Sequence, residues 1–128
     1  MTIQHTTHES VAIISPVGRI DTTTSGILDD ATRRTVDEGA RHLVVDLSST
    51  EYISSAGLRV FLVLAKRLRS LGGRLVLCGM GEPVRQVFQL AGFMPIFTVE
   101  PSRSEALSRL TRTLEETVEL PAIGRAQS

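Results

Sequence analysis

Few residues of this sequence have the type and spacing that catalysis or metal binding requires. His5, His8 and His42 show neither the spacing of a zinc site nor a helical motif that carries a glutamate. Cys78 ends an apolar run, where a buried and unreactive thiol is the usual case. Residues 79–81 lack the third glycine of a dinucleotide-binding loop and predict a plain turn. No nucleophile elbow is present, so we expect a protein that is not an enzyme and that holds neither a metal nor a cofactor.

Two aspartates follow predicted strands, which is where α/β folds place ligand sites. Asp21 and Asp46 could therefore contact a small ligand or a nucleotide at the strand ends. Aspartate at such positions more often serves the backbone, so the favoured interpretation is that Asp21 caps a helix and Asp46 anchors a loop. Small-ligand binding stays open as an alternative.

Ser54 and Ser55 stand at the start of a predicted helix, residues 55–71, which Gly72 and Gly73 end. Because serine is a preferred N-cap, one of the two is expected to cap this helix. At about 100° per residue, one group of apolar side chains shares the face that must meet the core. Its members are Leu58, Phe61, Leu64, Ala65 and Leu68.

A second stripe on the same helix carries Ser55, Arg59, Leu62 and Lys66, and Val63 lies beside it. We call these five residues the docking stripe. They are predicted to lie on the side of the helix away from the core. A small apolar patch rimmed by cations is typical of a surface that binds another protein. A solvated helix face with incidental aliphatic residues has the same geometry, and the pattern alone favours neither.

The elements that must position this helix alternate along the chain. Strands are predicted at residues 3–7, 11–17, 42–47, 74–78 and 96–99, with Pro16 at an edge or bulge and residues 48–53 as a polar connection. Other helices are predicted from the cap-rich residues 21–24 to Gly39, over residues 83–90, and after Ser102 with Ala106, Leu107, Leu110 and Leu114. This order predicts an α/β fold with a mostly parallel sheet of four to five strands.

Composition limits the classes of partner and compartment. The 128 residues suit one domain, and 14 basic residues balance 14 acidic ones. A zero net charge argues against nucleic acid as a partner, since that class of protein usually has a basic surplus. The first residues lack the features of a secretory signal, and no apolar run approaches the roughly 20 residues that span a bilayer. With a single cysteine, the expectation is a cytoplasmic protein without membrane insertion.

Several short motifs occur in a fixed order. Gly-Arg-Ile-Asp at residues 18–21 precedes the first helix, and Asp-Leu-Ser at residues 46–48 is followed by Tyr-Ile-Ser-Ser-Ala-Gly-Leu at residues 52–58. A Gly-Gly pair ends that helix, and residues 84–93 form a further helix and turn. This set resembles the STAS domain family, of the anti-sigma factor antagonist type, over about residues 8 to 115. The resemblance implies a STAS-like fold over residues 1–116, and residues 117–128 are predicted to be a disordered tail.

The resemblance also implies a partner-switching function. In that family the first serine of an Asp-Ser-Ser-Gly motif is phosphorylated, and Ser55 corresponds to it. Ser54 stands where aspartate is usual and is a rival acceptor, while Ala56 stands where a second hydroxyl is usual. The implied partners are an anti-sigma factor that is a serine kinase and a serine phosphatase of the PP2C type. Asp21 and the docking stripe would bind the kinase.

Two other functions remain as alternatives. One is a constitutive STAS subunit of a lipid-transport ABC complex, which needs the docking helix but no phosphate. The other is a small-ligand or nucleotide-binding module that uses Asp21 and Asp46.

Overall fold

The structure, a computed structural model, describes residues 1–111, in which strands and helices alternate. The strands are β1 (Thr2–His8), β2 (Val11–Ile20), β3 (His42–Asp46), β4 (Thr50–Ile53), β5 (Arg74–Cys78) and β6 (Thr98–Glu100). The helices are α1 (Ser25–Asp37), α2 (Ser55–Ser70), α3 (Glu82–Leu90) and α4 (residues 103–111), with a 3₁₀ turn at Met94–Ile96. The α/β class and the predicted positions of the helices are confirmed. Leu114, the predicted domain end at 116 and the tail at 117–128 lie outside the described residues.

The sheet is organised around β2. Its strand order is β1-β2-β3-β5-β6, and β4 lies off this path and pairs with the last residues of β2. The β1–β2 pair is antiparallel and the other pairs are parallel, as crossover connections through helices allow. The sheet is therefore mostly parallel, as predicted, but it has six strands.

The prediction of a polar connection at residues 48–53 was wrong, because residues 50–53 form β4. Val11–Ile14 of β2 pair with β3, whereas Gly18–Ile20 pair with β4 across a register shift between Gly18 and Arg19. Pro16 lies between these two paired segments, close to the predicted bulge. There its carbonyl accepts a hydrogen bond of 2.9 Å from the Thr50 hydroxyl. Because Gly18–Ile20 pair with β4, β2 continues three residues past the predicted end at Val17 and stops just before Asp21.

The last predicted strand also shifts. Ile96 was expected to begin a strand over residues 96–99, but it ends the 3₁₀ turn, and β6 starts at Thr98. Within that turn the Ile96 N–H donates to the Phe93 carbonyl at 3.0 Å, so Ile96 belongs to the turn, and pairing with β5 begins only at Thr98.

Two apolar layers cover the two faces of the sheet. Alternate strand residues such as Ile14 and Val45 join the main core with residues of α1, α2 and α3. The residues between them, including Val44 and Cys78, face a smaller core. That smaller core is completed by the fully buried Ala106 and Leu110 of α4. Strands buried on both faces account for the continuous apolar runs that predicted β3 and β5.

Helix α4 is capped at its start, and its first residue is hydrogen-bonded to the sheet. Ser102 accepts a hydrogen bond from the backbone of Glu105 at 3.3 Å and donates to its carboxylate at 3.0 Å, which confirms the predicted cap. Arg103 donates to Asp46 at 3.0 Å and to Ser15 at 2.8 Å. No helix within residues 1–111 is long and apolar enough to cross a membrane.

Candidate functional site

The start of α2 holds its two serines in different environments. Ser54 is extended, with φ −93° and ψ 172°, and its hydroxyl accepts a hydrogen bond from the Gly57 N–H at 3.3 Å. Its own N–H donates to the Ile20 carbonyl at 2.8 Å, which ties the helix start to the end of β2. Ser55 is the first helical residue and is exposed, and its hydroxyl makes no hydrogen bond to any residue in the described part of the chain. Ser54 is therefore the N-cap, and Ser55 presents a free hydroxyl.

Because only Ser54 caps α2, replacing Ser54 or Ser55 with alanine should change the free energy of unfolding by different amounts. Ser54→Ala removes the N-cap and should lower the free energy of unfolding by about 0.5–2 kcal/mol. Ser55→Ala removes no intramolecular hydrogen bond and replaces an exposed residue with the best helix former, so stability should change by less than about 0.5 kcal/mol. Urea denaturation of both variants measures the difference. Equal losses would show that the two hydroxyls share the capping role.

Gly57 lets α2 approach the sheet closely. A β-carbon at this buried position would lie 2.6 Å from a methyl carbon of Ile20 and 2.8 Å from a side-chain carbon of Ile53. Both isoleucines are completely buried, so neither can move away freely. The absence of a side chain at Gly57 thus allows the start of α2, which carries Ser55, to pack against the ends of β2 and β4.

Gly57→Ala should therefore destabilise the protein by about 1–3 kcal/mol through overpacking, despite alanine's better helix propensity. Gly26→Ala in α1 is the matched control, because a β-carbon there meets no atom within 4 Å. That control should leave stability unchanged or raise it by up to about 1 kcal/mol. Thermal unfolding of both variants is the measurement, and a Gly57→Ala protein as stable as Gly26→Ala would contradict the close packing.

The docking stripe is mostly, but not wholly, on the outside of α2. Arg59 and Lys66 are exposed, and Val63 is 52% exposed. Leu62, however, is half-buried and packs against the main core, so its predicted position away from the core was wrong. Val60 and Leu62 lie about 100° to either side of Phe61 on the helix. Val60 is buried in the main core, and Leu62 is half-buried against it. The apolar face of α2 is wider than the predicted arc.

A groove of about 460 Å³ runs between α1 and the exposed side of α2. Ser55, Arg59 and Val63 line it from α2, together with Ala56 and Val60. Its other wall, which sequence reasoning missed, is formed by Ser25, Gly26, Asp29 and Arg33 of α1. The spacing of positions 25, 29 and 33 indicates that they share one face of α1. That this face forms a groove wall follows only from the packing of α1 beside α2. Lys66 and Leu62 do not line this groove.

Three charged residues line the groove, and two of them pair with each other. The Arg33 guanidinium and the Asp29 carboxylate form an ion pair within α1. Arg59 forms no ion pair or hydrogen bond with any residue of the part of the chain that the structure describes. The groove therefore combines one neutralised pair, one uncompensated cation and the free Ser55 hydroxyl.

Asp21 lies outside the groove and closes the turn before α1. Its carboxylate accepts hydrogen bonds of 3.0 Å from the backbone N–H groups of Thr23 and Thr24. The bond from the Thr24 backbone, followed by its hydroxyl, lowers the pKa of Asp21 below its ordinary value. Thr24 itself occupies the N-cap position of α1. The expected cap role of Asp21 is corrected to that of a turn anchor, one turn ahead of the helix.

The other candidate groups have structural surroundings. The Asp46 carboxylate accepts from the Ser48 N–H at 3.0 Å, which confirms the predicted loop anchor, and it also pairs with Arg103. Burial raises the pKa of the Cys78 thiol to about 12, so this thiol is unreactive at neutral pH. His42 is half-buried, and its pKa is lowered by that burial. Within residues 1–111, no three His, Cys, Asp or Glu side chains cluster as metal ligands would.

Comparisons with known proteins agree with the motifs. The model of the family described as STAS domain matches residues 2–106. A protein of Bordetella bronchiseptica, provisionally named anti-sigma factor antagonist BtrV, is 49% identical over 79 residues, which are 62% of this chain and 68% of that protein. The anti-sigma F factor antagonist of Paenibacillus polymyxa is 28% identical over 107 residues, covering 80% of this chain and 89% of its own.

The fold agrees as well. The crystal structure of an anti-sigma factor antagonist from Mycobacterium paratuberculosis superposes with a TM-score of 0.80 and 26% identity. The match covers 86% of this chain and 93% of that one. Since the family model spans most of the 128 residues, this chain belongs to the STAS domain family.

Proposed function

We propose that this chain is an anti-sigma factor antagonist that works by partner switching. The unmodified protein would bind an anti-sigma factor that is also a serine kinase, and so release the sigma factor. The observation that carries the proposal is the exposed, unbonded Ser55 hydroxyl at the head of the docking stripe. The names of the relatives from Bordetella and Paenibacillus support the anti-sigma factor antagonist part of this proposal.

The chemistry of the switch would belong to the partners. The kinase would transfer the γ-phosphoryl group of ATP to the Ser55 oxygen, with loss of the hydroxyl proton and release of ADP. The phosphate adds about −1.5 to −2 charges next to the surface that had bound the kinase, and the complex dissociates. A serine phosphatase of the PP2C type would hydrolyse the phosphoserine and restore binding. This chain contributes the acceptor and the docking surface.

The capping geometry favours Ser55 over Ser54 as the acceptor. Ser54 is half-buried, and its oxygen already accepts a hydrogen bond from Gly57. A phosphorylated Ser54 would have to give up that cap or crowd it. Ser55 can be modified without the loss of any hydrogen bond in the described structure, and an anion in the first turn is favoured by the helix dipole.

The test is to map the phosphate after incubation with the cognate kinase and ATP. Tandem mass spectrometry should locate it on Ser55, and Ser55→Ala should remain unmodified while Ser54→Ala is still phosphorylated. Phosphate on Ser54 alone would make the acceptor assignment wrong. A kinase that binds the chain but never phosphorylates either serine would remove the switch from the proposal.

A further inference from the structure

We infer that, after phosphorylation, Arg59 of α2 and Arg33 of α1 hold the Ser55 phosphate within the groove between the two helices. The inference rests on the proposed function only in taking Ser55 as the acceptor. It adds a local mechanism for the switch: the phosphate would engage the free protein's own cations in addition to repelling the partner.

Arg59 is placed to be the first of these cations. It stands four residues after Ser55, so the two side chains are neighbours on the surface of α2, with about 5–6 Å between their β-carbons. Both line the same groove, and Arg59 has no ion-pair or hydrogen-bond partner among residues 1–111. An arginine beside a phosphoserine forms short, charge-assisted hydrogen bonds that lysine matches less well.

Arg33 would reach the phosphate from the opposite wall. In the unmodified protein it pairs with the Asp29 carboxylate, one turn earlier in α1. A phosphate carries nearly twice the charge of a carboxylate and three acceptor oxygens, so it competes well for a guanidinium that has five donors. Asp29 opposes binding of the phosphate, because its own charge lines the groove. Of the three charged residues that line the groove, Arg59 and Arg33 attract the phosphate and Asp29 repels it.

The arrangement has a consequence for the switch. Arg59 belongs to the docking stripe, and a phosphate held by Arg59 would neutralise a cation on that surface. The small residues Gly26 and Ala56 leave room in the groove, and a β-carbon at Gly26 would meet open space. Phosphorylation would thus both remove a positive charge from the interface and insert a bulky group between α1 and α2.

The experiment is a ³¹P NMR titration of the 128-residue chain with phosphoserine incorporated at position 55 during translation. A phosphoserine has a second pKa of about 6, and neighbouring arginines lower it by favouring the dianion. Arg59→Gln should raise this pKa by roughly 0.5 unit at low ionic strength, and Asp29→Asn should lower it. Arg69→Gln, an exposed arginine near the other end of α2, is the matched control and should leave it unchanged.

Arg33 needs a separate comparison, because its removal also frees Asp29. The double variant Asp29→Asn with Arg33→Gln is compared with Asp29→Asn alone, which isolates the contribution of Arg33. A phosphate pKa that neither arginine substitution moves overturns the inference. A pKa that responds to Arg59 but not to Arg33 overturns the contact across the groove. Because the phosphate is introduced without a kinase, these outcomes are independent of whether a kinase modifies Ser55.

Discussion

Protein phosphorylated at Ser55 is expected to bind its anti-sigma partner about a hundredfold more weakly than the unmodified protein. Ser55 heads the docking stripe and lines the α1–α2 groove, so a bound partner would cover it. A phosphate enclosed there without a counter-charge from the partner costs about 3 kcal/mol or more. Titration calorimetry with the purified partner measures the two dissociation constants directly.

Among variants at position 55, partner affinity should fall as the charge and size of the side chain increase. Ser55→Ala should bind as tightly as the unmodified protein, since alanine leaves the surrounding surface intact. Ser55→Asp should fall between the two, because it carries one charge and less bulk than a phosphate. Ser104→Asp is the matched control, since Ser104 is an exposed serine in the first turn of α4, and that helix packs on the opposite face of the sheet. Ser104→Asp should bind normally.

Two results would contradict this account. Unchanged affinity of the phosphorylated protein would place Ser55 outside the interface. A folded Ser55→Ala protein that no longer binds would show that the hydroxyl is itself a necessary contact. The phosphorylated protein should remain folded in either case, because an anion in the first helical turn is tolerated by the free N–H groups and the dipole of α2.

The sequence was sufficient for the elements whose local patterns are strong. The apolar runs of β3 and β5 predicted strands covered on both faces, and Gly72 ended α2 within one residue of its predicted end. β4 escaped prediction because it has four residues, and its two buried ones, Thr50 and Ile53, do not alternate. Its pairing with β2 depends on a register shift about 30 residues earlier in the chain, which no local pattern encodes.

The same limit applies to the site. Helical periodicity placed Ser55, Arg59 and Lys66 outside and Phe61 inside, as the structure has them. The width of the buried arc depends on what flanks α2, and this is why Leu62 was misplaced. The choice of Ser54 as N-cap depends on a one-residue boundary that sequence patterns do not resolve. The α1 wall of the groove is a tertiary arrangement that becomes visible only once α1 and α2 are packed.

Val63→Glu is expected to abolish most partner binding while leaving the protein as stable as before. Val63 is 52% exposed and lines the groove beside Arg59, so a carboxylate there places a desolvated charge in the interface but stays hydrated in the free protein. The change in unfolding free energy should stay within about 0.5 kcal/mol, as is usual for exposed positions. Binding should weaken by roughly tenfold or more, which corresponds to about 1.4 kcal/mol.

Two further variants isolate the cause. Leu62→Glu should lower stability by about 1–3 kcal/mol, because Leu62 packs against the main core and its carboxylate would be partly desolvated. Ile27→Glu is the matched surface control: Ile27 is 50% exposed in the first turn of α1 but does not line the groove. It should affect neither melting nor binding. If Val63→Glu and Ile27→Glu weaken binding equally, the effect is one of net charge and the groove is not the interface. If Val63→Glu melts and binds normally, the partner contacts the protein away from this face of α2.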